Sequence, residues 1–184
     1  MRRDLGSDSW AHAIVSNFDL AMSFTRSAEG GFTVDNGGPT DFGITQATYD
    51  TYRQSIGAPE QDVRHIGLSE VTAIMWQDYW VPANCNDLPA RLSICQFDTA
   101  FNSGTHEAIT LLQRALGVTA DGDYGPITHA AVLACDDIST SSAYLDARWA
   151  FMQAICAGES PEVRLNGYRN RIDHLRSYLN NING

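Results

Sequence analysis

The amino-acid sequence predicts a mainly α-helical fold with one short β segment. Apolar residues recur at helical spacing along most of the chain, and cap or stop residues divide this pattern into separate helices. β-forming residues flank turn-forming residues in one stretch, residues 31–45. A hydrophobic content of 43% and a charged content of 18% are typical of a globular chain. These observations predict one compact, mainly helical body of 184 residues.

The first predicted helix extends from Trp10 to Ala28, and the glycine pair that follows Glu29 is expected to end it. Turn-forming residues come next, in the run Asp35-Asn36-Gly37-Gly38-Pro39. We therefore expect a small hairpin, or an irregular loop with two short strands, directly after the first helix.

Local cap residues predict the helices that follow. Thr45 is the expected N-cap of a helix that reaches Ile56. Ser69 is the expected N-cap of the next helix, which lacks the glutamate of a capping box and ends before Pro82. Further helices are predicted at 88–102, 105–116, 126–135, 142–156 and 161–179. The predicted helices at 126–135 and 142–156 carry apolar faces that should be buried against the other helices. These faces include Ile127, Leu133, Leu145, Met152 and Ile155.

Composition excludes several classes of function. A net charge of −10 argues against nucleic-acid binding, and no apolar run is long enough for membrane insertion. All twelve basic residues are arginines, so lysine Schiff-base chemistry is excluded. The five histidines and four cysteines show neither the spacing of metal ligands nor a CxxC pair. We therefore expect no metal and no organic cofactor.

Glu29 is the first candidate for catalysis. A helix C-terminus carries partial negative charge, which together with partial burial raises the pKa of a glutamate towards that of a proton donor at neutral pH. Cleavage of a glycosidic bond needs such an acid and often a second carboxylate, for which Asp35 and Asp41 are candidates. Thr40 or Thr45 could position a water molecule. The alternative for Glu29 is a solvated helix end.

Other side chains could bind a substrate. Asp98 and Asn102 are four residues apart and share a helix face, where they could bind N-acetyl or hydroxyl groups; the alternative is a buried hydrogen-bonded pair. Tyr79 and Trp80 could stack on sugar rings, although Trp80 is equally suited to the core. Four late arginines predict a solvated helix face or a site for substrate carboxylates: Arg164, Arg169, Arg171 and Arg176.

Several motifs together resemble a known family. The run from Glu29-Gly30-Gly31-Phe32 to Gly43-Ile44-Thr45 resembles the start of glycoside hydrolase family 108, whose members are N-acetylmuramidases of phage endolysins and related bacterial muramidases. The resemblance continues through Asp78-Tyr79-Trp80, Cys85-Asn86-Asp87-Leu88-Pro89 and the run Phe97 to Gly104. The last third resembles the peptidoglycan-binding region that commonly follows, at residues 112–118, 121–128 and 167–172.

The resemblance implies a lysozyme-like fold with Glu29 as the catalytic acid. It implies a muramidase core at residues 10–103 and a helical peptidoglycan-binding-like region at 104–184, which we expect to pack as one globule. The chain departs from the usual pattern at Asn36, where a proline normally precedes the glycine pair.

The expected reaction is hydrolysis of the β-1,4 bond between N-acetylmuramic acid and N-acetylglucosamine in bacterial peptidoglycan, by a monomer. A lytic transglycosylase uses the same acid but forms an anhydro-sugar end, and a non-catalytic module would only bind peptidoglycan; both alternatives stay open. Acidic residues replace the apolar run of a secretion signal near the N-terminus. We therefore expect synthesis in the bacterial cytoplasm without a signal peptide, and action on the cell wall in the periplasm or outside.

Overall fold

The computed structural model describes residues 8–28, 33–35, 38–157 and 161–182. Within these ranges the chain is mainly helical, as predicted. The helices are α1 (Asp8–Ala28), α2 (Gln46–Ser55), α3 (Leu68–Ile74), α4 (Ala90–Ser103), α5 (Thr105–Leu116), α6 (Pro126–Ala134), α7 (Asp137–Ile155) and α8 (Pro161–Asn180). A π-helical segment, Met75–Trp80, continues directly from α3, and short 3-10 turns occupy Val63–His65 and Cys85–Asp87.

The β segment forms a three-stranded antiparallel sheet in the order β1 (Thr33–Asp35), β2 (Gly38–Asp41) and β3 (Ile44–Thr45). The sequence predicted two strands and missed β3, which is only two residues long. Phe42 and Gly43 join β2 to β3 with φ angles of 50° and 75°. Two left-handed residues in succession are typical of a tight hairpin turn, and the glycine adopts this conformation without steric strain.

Local signals predicted several helix ends correctly. Thr45 is the N-cap of α2, and its hydroxyl accepts a hydrogen bond from the backbone N–H of Thr48 at 3.2 Å. The bounds of α5 coincide with the prediction, and Gly117 follows it with φ 71°. A glycine in the left-handed region ends a helix because it has no Cβ to clash with the preceding turn.

Several predicted helix starts were wrong, and two of them have a clear local cause. The helix expected to begin after Ser69 begins at Leu68, because the Glu70 carboxylate accepts a hydrogen bond from the Gly67 N–H at 3.1 Å and so stabilises an earlier start. The helix expected from residue 142 begins at Asp137, since the Asp136 carboxylate accepts from the Ser139 N–H at 2.8 Å. A polar first turn carries no apolar periodicity, and this is why the start of α7 was placed too late.

The core is built around α4. All nine residues from Leu92 to Ala100 are buried, and α4 packs against α1, α5 and α7. One hydrophobic cluster extends from Phe18 in α1 to Leu179 in α8. The predicted division at residues 103 and 104, and the packing of the two parts as one globule, stay predictions. Among the described helices, none combines the length and the apolar character needed to cross a membrane.

The predicted burial of the late apolar faces was correct only in part. Leu145 and Met152 of α7 are buried, but the side chains of Ile127 and Leu133 in α6 are each 74% exposed and that of Ile155 is 50% exposed. Helix α6 instead buries Thr128 and Val132. The helix is short and packs mainly against α5, so only one narrow side of it faces the core.

Candidate functional site

The small sheet follows α1 in the chain and carries four of the five candidate catalytic residues. Glu29 lies outside the described residues, directly after the last residue of α1. Asp35 ends β1, where its backbone pairs with Gly38, but its side chain also lies outside the described part. Thr40 pairs with Thr45 across β2 and β3. Since paired residues of neighbouring strands point to the same face, the sheet brings these two threonines together.

Asp41 lies on the other face of the sheet from Thr40, because adjacent residues of a strand point to opposite sides. Its carboxylate accepts a hydrogen bond from the Phe42 N–H at 3.0 Å and so supports the tight turn. The Thr45 hydroxyl caps α2 and lies 3.0 Å from the Thr48 hydroxyl. Both side chains therefore have structural contacts, and their catalytic roles stay predictions.

The two aromatic candidates differ in burial. Trp80 is fully buried, with its ring against Phe18 and Phe97, and its indole N–H donates to the Asn86 Oδ1 at 2.7 Å. Its position is that of a core residue, which was the alternative to stacking on a sugar ring. Tyr79 is half-buried and lies edge-on to Phe101 with ring centroids 4.9 Å apart. Burial, followed by the nearby charge of Asp78, raises the pKa of the Tyr79 hydroxyl.

Asp98 is the centre of a buried ion network. Its carboxylate accepts hydrogen bonds from Arg148 Nη1 at 2.7 Å, from Arg171 Nε at 3.1 Å and Nη2 at 2.8 Å, and from the Thr25 hydroxyl at 2.9 Å. Burial by itself would raise the pKa of Asp98, but the charges and hydrogen bonds of the two arginines lower it to about 2. The group is therefore ionised at any physiological pH.

This network joins four helices, because Thr25 lies in α1, Asp98 in α4, Arg148 in α7 and Arg171 in α8. Thr25 lies in the last turn of α1, four residues before Glu29 in the chain, so the network holds the end of the helix that leads to the candidate acid. Sequence reasoning named Asp98 but missed Arg148. An arginine between the apolar residues of α7 was the available signal, since a charge on a buried helix face requires a partner.

A pocket of about 490 Å³ lies beside this network. That volume is within the range of small-molecule binding sites. The pocket adjoins the last turns of α1, since His174 lies edge-on to Phe24 with ring centroids 5.6 Å apart and Asp98 binds both Arg171 and Thr25 of α1. Its described lining contains no carboxylate and includes arginine, amide, imidazole and phenol groups: Asn102, Arg164, Tyr168, Asn170, Arg171 and His174.

Of the four predicted substrate-binding residues, Asn102 is the one that lines this pocket. It is exposed at the end of α4, whereas Asp98, one turn earlier on the same helix, points into the core. The structure thus separates the predicted pair. Asp98 is buried and hydrogen-bonded, as the alternative of a buried pair required, but its partners are arginines of α7 and α8 instead of Asn102. Its predicted contact with substrate stays untested.

Comparison with known proteins identifies similar chains. Residues 22–104 match the family described as Glycosyl hydrolase 108. Among solved structures, the chain is similar to that of Brucella abortus SagA, with 29% sequence identity, a TM-score of 0.74, and coverage of 90% of this chain and 94% of that chain. No curated protein matches the sequence. The family match extends from α1 to the start of α5, the structural similarity includes the later helices, and together they confirm the predicted mainly α, lysozyme-like fold.

Proposed function

We propose that this chain is a glycoside hydrolase of the family whose model matches residues 22–104, and that it hydrolyses the β-1,4 bond between N-acetylmuramic acid and N-acetylglucosamine in bacterial peptidoglycan. The family match over residues 22–104, which contains Glu29 and the glycines that follow it, carries this proposal. The similarity over nearly the whole length to a solved structure supports it. In this proposal the protein acts as a monomer on the cell wall, in the periplasm or outside the cell.

Glu29 donates the proton to the leaving glycosidic oxygen. It follows directly on α1, a helix of 21 residues, so the partial negative charge of that helix end favours the protonated form of a nearby carboxyl. The hydrogen bond from Thr25 to Asp98 fixes the preceding turn to the core. A rigid helix end supports precise placement of the acid, on which the efficiency of proton transfer depends.

A second group stabilises positive charge on the sugar or activates water. Asp35 is the first candidate and Asp41 the second, since both lie on the strands that follow Glu29 in the chain. Thr40 and Thr45 lie together on one face of the sheet, and Asp41 lies on the other. If the threonines position the attacking water, Asp41 is therefore the less favourable partner.

Replacement of Glu29 with glutamine tests the proposal, because glutamine keeps the size and polarity but has no transferable proton. Release of fragments from purified peptidoglycan should fall at least about a hundredfold, the scale of general acid catalysis. Glu60, an exposed glutamate after α2, provides the matched control Glu60→Gln, which should retain activity. Circular dichroism should show that both variants are folded.

Mass analysis of the released fragments separates the three activities. Reducing muramic acid ends indicate hydrolysis, and anhydro-muramic ends would indicate a lytic transglycosylase. If the unaltered protein binds peptidoglycan but releases nothing, the chain is a binding module. A Glu29→Gln variant that retains full activity would refute Glu29 as the acid.

A further inference from the structure

The charges of α8 are distributed unevenly around the helix. On the side away from the pocket, Arg169 pairs with Asp173 at 3.8 Å and lies over the ring of Trp149, and Arg176 pairs with Asp146 at 2.6 Å. On the pocket side, no described lining residue is acidic. A chain with a net charge of −10 therefore presents a locally basic pocket.

Among the described lining residues, Arg164 is the cation that is available for a ligand. It is exposed, lines the pocket and forms no ion pair or hydrogen bond with any described residue. Arg171, two turns further along α8, is already held by Asp98. A guanidinium group binds a carboxylate through two parallel hydrogen bonds, which makes an unpaired arginine in a concave site a good carboxylate receptor.

The other lining groups fit a short peptide. Asn102 and Asn170 are exposed amides that can donate to and accept from peptide bonds. Tyr168 is half-buried and offers a flat apolar surface with a polar end. In the described part of the lining, this combination of an unpaired arginine, two amides and an aromatic ring matches a peptide that carries a carboxylate.

Peptidoglycan supplies such a ligand, since each muramic acid carries a short peptide stem with free carboxylates. The pocket adjoins the end of α1 through the contact of His174 with Phe24 and through Asp98, which binds both Arg171 and Thr25 of α1. A stem attached to a sugar that binds beyond the end of α1 is therefore within reach of the pocket. We propose that this pocket binds the peptide stem of the substrate and that Arg164 binds a stem carboxylate; this proposal rests on the proposed function. The pocket would thereby select glycan strands that carry stems.

The test compares two soluble glycan fragments, one with intact stems and one from which an amidase has removed them. Removal of the stem exposes the lactyl carboxylate of muramic acid, so the second fragment also shows whether Arg164 recognises that group instead. Arg164→Gln should lower the ratio of kcat/KM for the stem-bearing fragment to that for the stripped fragment about tenfold, through a higher KM. Arg169→Gln, on the same helix but outside the pocket, is the control and should leave this ratio unchanged.

Equal losses on both fragments would overturn the proposal, because they would assign Arg164 to the glycan. A larger loss on the stripped fragment would overturn it by assigning Arg164 to the lactyl carboxylate, and no loss on either fragment would overturn it as well. Binding of the stem-bearing fragment to the Glu29→Gln protein, measured by calorimetry with and without Arg164→Gln, tests the pocket without cleavage. If the unaltered protein cleaves neither fragment, the proposed function fails, yet a loss of binding that depends on both Arg164 and the stem would still support the pocket.

Discussion

Replacing Asp98 with asparagine removes the negative charge of the buried network and leaves its shape almost unchanged. The side chain of Arg148 is only 1% exposed, and Asp98 is its one counter-charge among the described residues. Breaking a buried ion pair from one side costs about 3–5 kcal/mol, because the remaining charge stays desolvated. For a chain of this size each kcal/mol lost from the free energy of unfolding lowers Tm by about 2–4 °C, so the expected decrease in Tm is about 6–20 °C.

Thermal unfolding followed by circular dichroism measures this effect. Asp146→Asn is the matched control, since Asp146 forms an ion pair with Arg176 between α7 and α8, but its side chain is 73% exposed. Loss of an exposed pair costs about 1 kcal/mol or less. Adding Arg148→Met to Asp98→Asn should restore part of the stability, because the unpaired buried charge is then removed. An Asp98→Asn variant no less stable than Asp146→Asn would refute the reasoning.

The remaining predictions concern catalysis, pH, capping and truncation. Asp35→Asn should lower kcat on purified peptidoglycan more than Asp41→Asn, and the opposite order would exchange their roles. The pKa of Asp98 is about 2 in the folded chain, below the usual 3.8, so the stability that its charge contributes is complete above pH ~4 and is lost as the pH falls towards 2. Chemical denaturation at several pH values in this range should show the loss, and Asp98→Asn should abolish this pH dependence. Thr45→Ala should lower the free energy of unfolding by about 1 kcal/mol through loss of the α2 cap, measured by urea titration. Truncation after Ser103 removes both arginines that neutralise Asp98, so the product should be insoluble or molten by near-ultraviolet circular dichroism; a soluble, cooperatively melting fragment that cleaves soluble glycan would contradict this.

Part of the candidate site could be predicted from sequence. Glu29, with the glycines and the strand residues that follow, is a continuous motif, and its residues are neighbours in the chain. The pocket beside α1 is not formed by a continuous motif, because Asn102 and Arg164 come from helices distant in the chain. The late arginines of α8 were recognised as a group. Only the packing shows that Arg164 and Arg171 line the 490 Å³ pocket, while Arg169 and Arg176 pair with Asp173 and Asp146.

The sequence by itself determined the helical class, the resemblance to a known family and most helix ends. These features depend on short-range chemistry, such as the Thr45 cap of α2 or the left-handed Gly117 after α5, and such chemistry acts within a few residues. Only the tertiary structure decided which charges meet. Asp98 pairs with Arg148, which is fifty residues later in the chain, and with Arg171, which is seventy-three residues later. Local periodicity carries no information over such separations. The same holds for exposure, since a helix such as α6 presents an apolar face whether or not another element packs on it, and here Ile127 and Leu133 remain open to solvent.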